Sequence, residues 1–515
     1  MHIKSVLRNL GTLLIIFVAT MLVSVGWGYY EYTLHPDPAH LRAVRALEWA
    51  MLTGVLLGLS FLLMARGCRG HLNIKEALLL VSHCWLWGAF ISAMPFWFWA
   101  LSLPEAERQG VEFVSFINCF FEAMSGLTTT GASILSDIPR LPRALLLWRS
   151  QLNWLGGLGI VVLFVAILPS LSGGGRQVYK AEATGIASDA GTADVPGTAR
   201  ILWMIYTGLT TIQALIMKAA DPDLEWFTVI CFSFSTASTA GFAVFGESAG
   251  ALSPLCQWII IFFMFIGGIN YALYYDILQG RWRRLFADTE FRAYCAILFT
   301  CIVIVSLVII EHPYHDMTET HALKDGGTII RDATFQVVSI GTTTGFSNAN
   351  SAQWPLATQL LLVMLMFIGG CGGSTSGGIK VIRIVSAVRL LGQEIERVFR
   401  PSVVRPLAFG RRVLSPAQKR GVLVLILLFV IFSGFGAFCL SILESNRDTS
   451  PMSMVIASIA CLLNIGPGFD AVGVTENYLW FSGPSKVLLC LMMLLGRLEL
   501  VTVLVLFHPR FWRRS

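Results

Sequence analysis

The stretch Phe335–Asn350, FQVVSIGTTTGFSNAN, runs an apolar segment into three threonines, a glycine and a phenylalanine. Related stretches are FEAMSGLTTTGA at Phe121–Ala132, CFSFSTASTAGF at Cys231–Phe242 and ACLLNIGPGF at Ala460–Phe469. These residue types suit one kind of chemistry. A dehydrated monovalent cation needs oxygen ligands in place of its water, and backbone carbonyls supply them without a formal charge that would trap it. Glycine admits the backbone angles that line carbonyls up. Threonine adds a hydroxyl oxygen and a stiff β-branched backbone. A short helix ending at the loop turns its carbonyl end, the negative end of its dipole, toward the ion.

One such loop reads as a turn or a packing site; four, each between apolar spans, read as parts of one filter. The glycines align at Gly131, Gly241, Gly345 and Gly468, separated by 110, 104 and 123 residues. The second copy has Ala240 where others have threonine or proline, and the fourth reads Asn464-Ile465-Gly466-Pro467-Gly468. A carbonyl filter tolerates such changes because side chains are not its main ligands.

The chain that must position these loops has 515 residues, 55% hydrophobic and 13% charged, with mean hydropathy +0.69. A soluble domain carries about 25% charge. Apolar runs long enough to cross about 30 Å of hydrocarbon recur, so the sequence predicts an all-α polytopic membrane protein. Ten spans can be drawn. Two, about Leu10–Trp27 and Ala46–Met64, precede the repeats, the first read as an uncleaved span. The others pair as Ala77–Trp99 with Leu145–Leu171, Ile201–Met217 with Leu255–Leu278, Ala293–Ile310 with Leu356–Ile379, and Val422–Leu443 with Val487–Phe507. Between the members of each pair lies a half-length segment: Val111–Leu127, Glu225–Ala237, Thr328–Ile340 and Met452–Leu463. At about 1.5 Å per residue these reach only part-way across. Irregular backbone at that depth needs protein or a water-filled cavity around it, and four re-entrant loops around one axis would provide both. The resulting divisions are 1–72 for the two N-terminal helices, then 73–180, 181–288, 289–400 and 401–515 for four helix–loop–helix repeats, a period that marks an internal-repeat architecture.

Charge orients the chain. Lys4 and Arg8, Arg66, Arg69 and Lys75, Arg176 and Lys180, Arg281, Arg283, Arg284 and Arg292 fall on one side. So do ten Lys or Arg between Lys380 and Arg420, read as a large basic loop, and Arg510, Arg513 and Arg514. Asp221, Asp223, Glu225, Glu311, Asp316, Glu319 and Asp325 fall on the other. This bias puts both termini in the cytoplasm. Arg140, Arg143 and Arg149 break the pattern. The net charge of +6 therefore describes topology and gives no support for a nucleic-acid partner. The 11 cysteines, without a CxxC pair, read as buried apolar side chains.

Each second span carries a glycine suited to close helix approach: Gly157, Gly268, Gly370 and Gly496. The third differs. Gly369–Lys380 reads GGCGGSTSGGIK, with Gly369, Gly370, Gly372, Gly373, Gly377 and Gly378. Each interior glycine costs a helix about 1 kcal/mol relative to alanine, so a broken span is expected there. Arg497 sits mid-span, where an arginine costs at least about 2.5 kcal/mol. It either pairs with Glu499 or another carboxylate, or binds carbonyls of the Gly369–Gly378 loop and shuts the pore. Glu122 either adds a cation-attracting field or pairs within the scaffold. Asn153 and Asn270 read as interhelical hydrogen-bond partners, and His83 as a satisfied core histidine. No Walker or complete GxGxxG motif occurs, so the chain itself is expected to bind no nucleotide. His2, His35, His40, His71, His312, His315, His321 and His508 lie at or beyond span ends, which argues against an enzyme.

The motifs TTTGA, STAGF, TTTGF and NIGPGF, with the tail LLGRLELVTVLVLFHPRFW at Leu494–Trp512, resemble the Trk/Ktr/HKT superfamily of potassium transporters, and the tail and extra N-terminal spans its TrkH/TrkG branch. The resemblance covers essentially the whole chain. It implies a pseudo-fourfold fold around one central pore and potassium uptake across the bacterial inner membrane. It implies coordinating carbonyls at Thr129 and Thr130, Thr239 and Ala240, Thr343 and Thr344, and Gly466 and Pro467, beside Gly131, Gly241, Gly345 and Gly468. In that family a serine at the first filter glycine accompanies sodium permeation, and Gly131 is glycine here. The resemblance also implies a flexible intramembrane loop with an arginine at the place of Arg497, a homodimer, and a cytoplasmic TrkA-like ring that binds NAD or ATP. A proton- or sodium-coupled potassium symporter and a less selective potassium/sodium transporter are the alternatives.

Overall fold

Helix starts are set by local chemistry. Asp37 accepts a hydrogen bond from Ala39 N with Pro38 at the first helical position, and Asn73 with Glu76, and Ser415 with Gln418, form capping boxes. In a computed structural model of the chain, the described residues are 2–67, 72–157, 159, 195–312, 325–402, 407–409, 412–447 and 449–513. They are almost wholly helical. A two-residue antiparallel ribbon, Ala408–Phe409 with Arg412–Val413, is the one named sheet among them.

Among the described residues, six helices are long and apolar enough to cross a membrane: Ile3–Leu34, Pro38–Met64, Ile74–Ser102, Ala199–Ala220, Thr289–Ile309 and Pro416–Leu443. Two bent helix pairs raise the number to eight if each counts as one span: Pro254–Gly267 with Tyr271–Leu278 at 94°, and Gly483–Arg497 with Val501–Phe507 at 109°. Only 22% of the apolar window of Pro38–Met64 is buried against 72% of that of Ile74–Ser102. The first exposes its leucines outward, as a lipid contact requires, and the second packs on several sides. The chain is a multi-pass membrane protein.

The half-length segments are short helices, Phe116–Leu127, Trp226–Ala237, Gly326–Gly341 and Pro451–Leu462. The span expected at Leu145–Leu171 is described as a helix from Arg143 to Gly157, and its remainder, with Arg176 and Lys180, lies outside the described residues. The span expected at Leu356–Ile379 is helical only from Leu356 to Met366. Interruption is not special to it, because the second and fourth inner spans also bend sharply. The stretch Lys380–Arg420, expected to be a basic loop, instead contains the helix Val381–Phe399. Its charges hid apolar residues at helical spacing: Ile382 and Leu390 are buried, whereas Val388, Leu391, Ile395 and Val398 are exposed.

Candidate functional site

The four short helices end alike. In the first, Thr128 N donates to Met124 O (2.8 Å), Thr129 N to Gly126 O (3.1 Å) and Thr130 N to Ser125 O (2.8 Å). The last bond recurs as Ala240 N to Ser235 O (3.0 Å), Thr344 N to Ser339 O (2.8 Å) and Ile465 N to Ala460 O (3.0 Å). This is a Schellman-type end, which demands a left-handed residue just past the helix. Thr129 (φ 54°), Thr239 (φ 52°), Thr343 (φ 57°) and Asn464 (φ 55°) fill that place. A β-branched residue there is a genuine outlier, and such strain, about 1–3 kcal/mol per residue, marks sites where function imposes geometry.

Two residues on, Gly131 (φ 81°), Gly241 (φ 77°), Gly345 (φ 82°) and Gly466 (φ 90°) are left-handed as well. Their surroundings make a closed ring. A Cβ on Gly131 would lie 2.1 Å from Ala240 O, one on Gly241 2.2 Å from Thr344 O, one on Gly345 2.1 Å from Ile465 O, and one on Gly466 2.4 Å from Thr130 O. Each segment therefore sets the carbonyl preceding its glycine against the glycine of a neighbour, and any side chain there would push four backbones apart.

This geometry changes the fourth register. The equivalent residues are Asn464-Ile465-Gly466, not Gly466-Pro467-Gly468. Alignment on Gly-Phe misled, because the proline and second glycine lengthen that loop by two residues. Gly468 lacks the positive φ, donates to Val472 O (2.8 Å) and packs against Ile456. Pro467 lines the rim, its ring beside Gly345.

One side of the ring opens into a recess of about 120 Å³ that includes Gly131, Gly241, Gly345 and Pro467 in its wall. The other side is filled by the Gly-rich loop. That loop is closed on itself by Gly369 N to Ile379 O (3.0 Å), Ile379 N to Phe367 O (3.2 Å) and Val381 N to Gly370 O (3.1 Å). Thr375 donates toward Ala237 O and Gly267 O (both 3.2 Å) and receives the Thr239 hydroxyl (3.2 Å). Gly377 N donates to the Thr343 hydroxyl (2.6 Å). Arg497 is half-buried beside it. Its Nη1 donates to Thr129 Oγ1 and Thr375 O (both 3.0 Å), and its Nη2 to Gly157 O (2.8 Å) and to Gly156 O. The threonines of the first three segments are thus held from below by the loop or by Arg497. Asn464 instead donates to Thr130 Oγ1 (3.0 Å) and Met493 O (2.9 Å).

Arg497 thus reaches the Gly-rich loop through Thr375 O. Glu499 accepts from Arg383 at 2.5 Å, and both it and Leu500 are left-handed, at φ 55° and 48°. Glu122 belongs to the scaffold: Arg149 contacts it at 2.7 Å, Ser133 Oγ and Ile134 N donate to it (both 2.9 Å), and the Arg149 guanidinium lies 4.0 Å from the Phe242 ring centroid. Arg149, a misfit in the charge pattern, is therefore a buried partner. Asn153 bonds Ser235 between helices (3.1 Å). Asn270 instead caps its own helix through Ala272 N (2.9 Å). His83 bonds Leu79 O (2.9 Å).

Sequence reasoning missed Glu290, whose Oε1 accepts from Gly372 N (2.7 Å) and Ile382 N (3.0 Å) and so ties both limbs of the Gly-rich loop to the helix Thr289–Ile309. The available signal was slight: a carboxylate three residues ahead of the span drawn from Ala293. Thr375 and Arg383 were also missed; nothing in their local sequence marks them.

In this helical membrane protein three strained Thr-x-Gly turns and one Asn-x-Gly turn meet in one ring, closed on one side by its own chain. A family model described as "TrkH: Cation transport protein" matches residues 73–514, and the chain belongs to this TrkH family. It is 35% identical to the Trk system potassium uptake protein TrkH of Escherichia coli K12 over 523 residues, covering 100% of both chains. It is 31% identical to the Trk system potassium uptake protein TrkG of the same organism, over 86% of each. The crystal structure of the potassium transporter TrkH from Vibrio parahaemolyticus matches with a TM-score of 0.84 at 29% identity, covering 100% of both.

Proposed function

We propose that this chain takes up potassium across the bacterial inner membrane through a channel-like pore, both termini being cytoplasmic. Ten spans make up the fold: two N-terminal helices and four pseudo-symmetric repeats around the pore, the interrupted inner spans counting once each. The filter is the ring of carbonyls and glycines at Thr129-Thr130-Gly131, Thr239-Ala240-Gly241, Thr343-Thr344-Gly345 and Asn464-Ile465-Gly466. The observation that carries this reading is the ring itself, in which each filter glycine meets a carbonyl of another segment. Backbone oxygens replace the water of potassium there, and the carbonyl ends of four short helices favour a cation.

The loop Gly369–Gly378 and Arg497 form the gate. In the arrangement described, loop and guanidinium sit directly under the ring, where a positive charge opposes cation passage. Opening requires both to leave. The helix Val381–Phe399 follows the loop directly, and we assign its uncovered side to the docking of a TrkA-like, NAD- or ATP-binding ring, with the transporter acting as a homodimer. The test is growth of a potassium-uptake-deficient strain at limiting potassium. The chain is expected to rescue growth and Gly345→Arg to abolish rescue; rescue by Gly345→Arg would reject the pore.

A further inference from the structure

The fourth segment differs from the other three in what becomes of its glycine carbonyl. Tyr478 donates its hydroxyl to Gly466 O (2.8 Å). Among the described residues, no hydrogen bond reaches the carbonyl of Gly131, Gly241 or Gly345. Those three glycines line the recess on the open side of the ring; Gly466 does not, and Pro467 stands in its place. Two separate features thus set this carbonyl apart. It is bonded to the scaffold, and its residue is withdrawn from the recess.

Tyr478 is held so as to keep that bond. It is 2% exposed. Its ring centroid lies 5.6 Å from that of Phe121 on the first short helix and 5.8 Å from that of Phe481. Its backbone N donates to Ser133 O (2.9 Å), just past the first segment. The tyrosine is therefore wedged into the seam between the fourth segment and the first, fixed through backbone and ring together. The Cys461 side chain also faces the hydroxyl. A carbonyl only accepts and a thiol is a weak acceptor, so the hydroxyl hydrogen goes to Gly466 O.

The number of carbonyl dipoles around a cation sets how fully they replace its water. An oxygen that already accepts from a hydroxyl has given up a lone pair, and its direction is fixed by the donor. We propose that Tyr478 is a positioning residue that sets ion affinity at the mouth of the filter. Its hydroxyl holds the Gly466 carbonyl back, so the mouth presents the free glycine carbonyls of Gly131, Gly241 and Gly345 only. The layer beneath keeps one carbonyl from each segment, those of Thr130, Ala240, Thr344 and Ile465. A monovalent cation entering at the mouth retains water on the side of the fourth segment. Binding there is weak enough for the ion to move on, as conduction requires. The proposal rests on the reading of the four segments as a pore with the recess on its outer side.

The test is the dependence of uptake on external rubidium in a potassium-uptake-deficient strain expressing the full-length chain, normalised to the amount of chain in the membrane. Tyr478→Phe removes the hydroxyl and keeps the ring between Phe121 and Phe481. Tyr478→Met removes the donor with a flexible side chain, should the first variant accumulate poorly. Both are expected to lower the half-saturating rubidium concentration roughly fivefold, the equivalent of one ordinary hydrogen bond, with a maximal rate that is unchanged or lower. A half-saturating concentration that stays where it was, or rises, overturns the proposal, because the hydroxyl then only packs the seam or presents the carbonyl to the ion. Loss of maximal rate alone overturns it too. Absence of rubidium uptake by the unsubstituted chain overturns the pore reading and the proposal with it.

Discussion

Glu122 and Arg149 lie 2.7 Å apart with side chains 0% and 2% exposed, joining the first short helix to the inner helix that follows it. Arg149 also donates to Ala243 O (3.2 Å), just past the second Thr–Gly segment, so one guanidinium ties two segments together. Gln336 sits seven residues before Thr343 as Glu122 sits before Thr129, and it donates to Ser347 (2.6 Å) where Glu122 accepts from Ser133. The polar brace is shared by the first and third segments; the charge is confined to the first.

Removing one partner of this pair leaves a buried charge, which costs roughly 3–5 kcal/mol. Glu122→Ala and Arg149→Ala are each expected to lower the thermal unfolding temperature in detergent markedly. The double replacement Glu122→Gln/Arg149→Met restores an uncharged, filled interior and is expected to recover most of the loss. A double variant no more stable than either single would contradict the pairing.

Glu290 is expected to act as an anchor of the gate. Gly372 N in the loop and Ile382 N in the first turn of the following helix reach the same oxygen, Oε1, so Glu290→Gln can keep an acceptor in place. Glu290→Ala strands two buried N–H groups at about 1–3 kcal/mol each, one of them in the loop that must stay put for closure. Rubidium uptake without any partner should rise severalfold in Glu290→Ala and little in Glu290→Gln. Equal leaks from both would mean that the oxygen does not hold the loop.

Arg383 and Glu499 link the two parts of the proposed gate. Arg383 lies two residues into the helix that follows the loop, and Glu499 lies two residues past Arg497 at the bend between Gly483–Arg497 and Val501–Phe507. Contacting residues couple by about 0.5–3 kcal/mol. Arg383→Ala and Glu499→Gln are each expected to raise unstimulated uptake, and the double variant to match the singles. Additive effects would show that loop and arginine move independently.

Much of this site was legible in the sequence because it is built from backbone. A filter of carbonyls leaves its trace in the residues that permit the backbone, and TTTG is such a trace. The fourth register was not legible: Asn464 and Gly466 do by geometry what threonine and glycine do elsewhere, and Gly468-Phe469 imitates the other copies. The contacts of the proposed gate were half legible. Six glycines predicted broken helix, and Arg497 was anomalous on its own span, but Glu290, Thr375 and Arg383 act through contacts between residues 82 to 138 positions apart. The helix Val381–Phe399 was obscured by its own charges, which read as a loop under the positive-inside pattern. Arg149 was misread for the opposite reason, as a topological charge rather than half of a buried pair.

Four segments are proposed to form one filter whose fourth member is Asn464-Ile465-Gly466. The most direct measurement is the ratio of rubidium to sodium uptake in liposomes for Gly131→Ser, Gly241→Ser, Gly345→Ser, Gly466→Ser and Gly468→Ser. A side chain at any of the first four meets a carbonyl of another segment, whereas one at Gly468 meets the Ile456 side chain. A lowered ratio is expected for the first four and an unchanged ratio for Gly468→Ser, whatever its effect on protein yield. Selectivity lost at Gly468 and kept at Gly466 would contradict it.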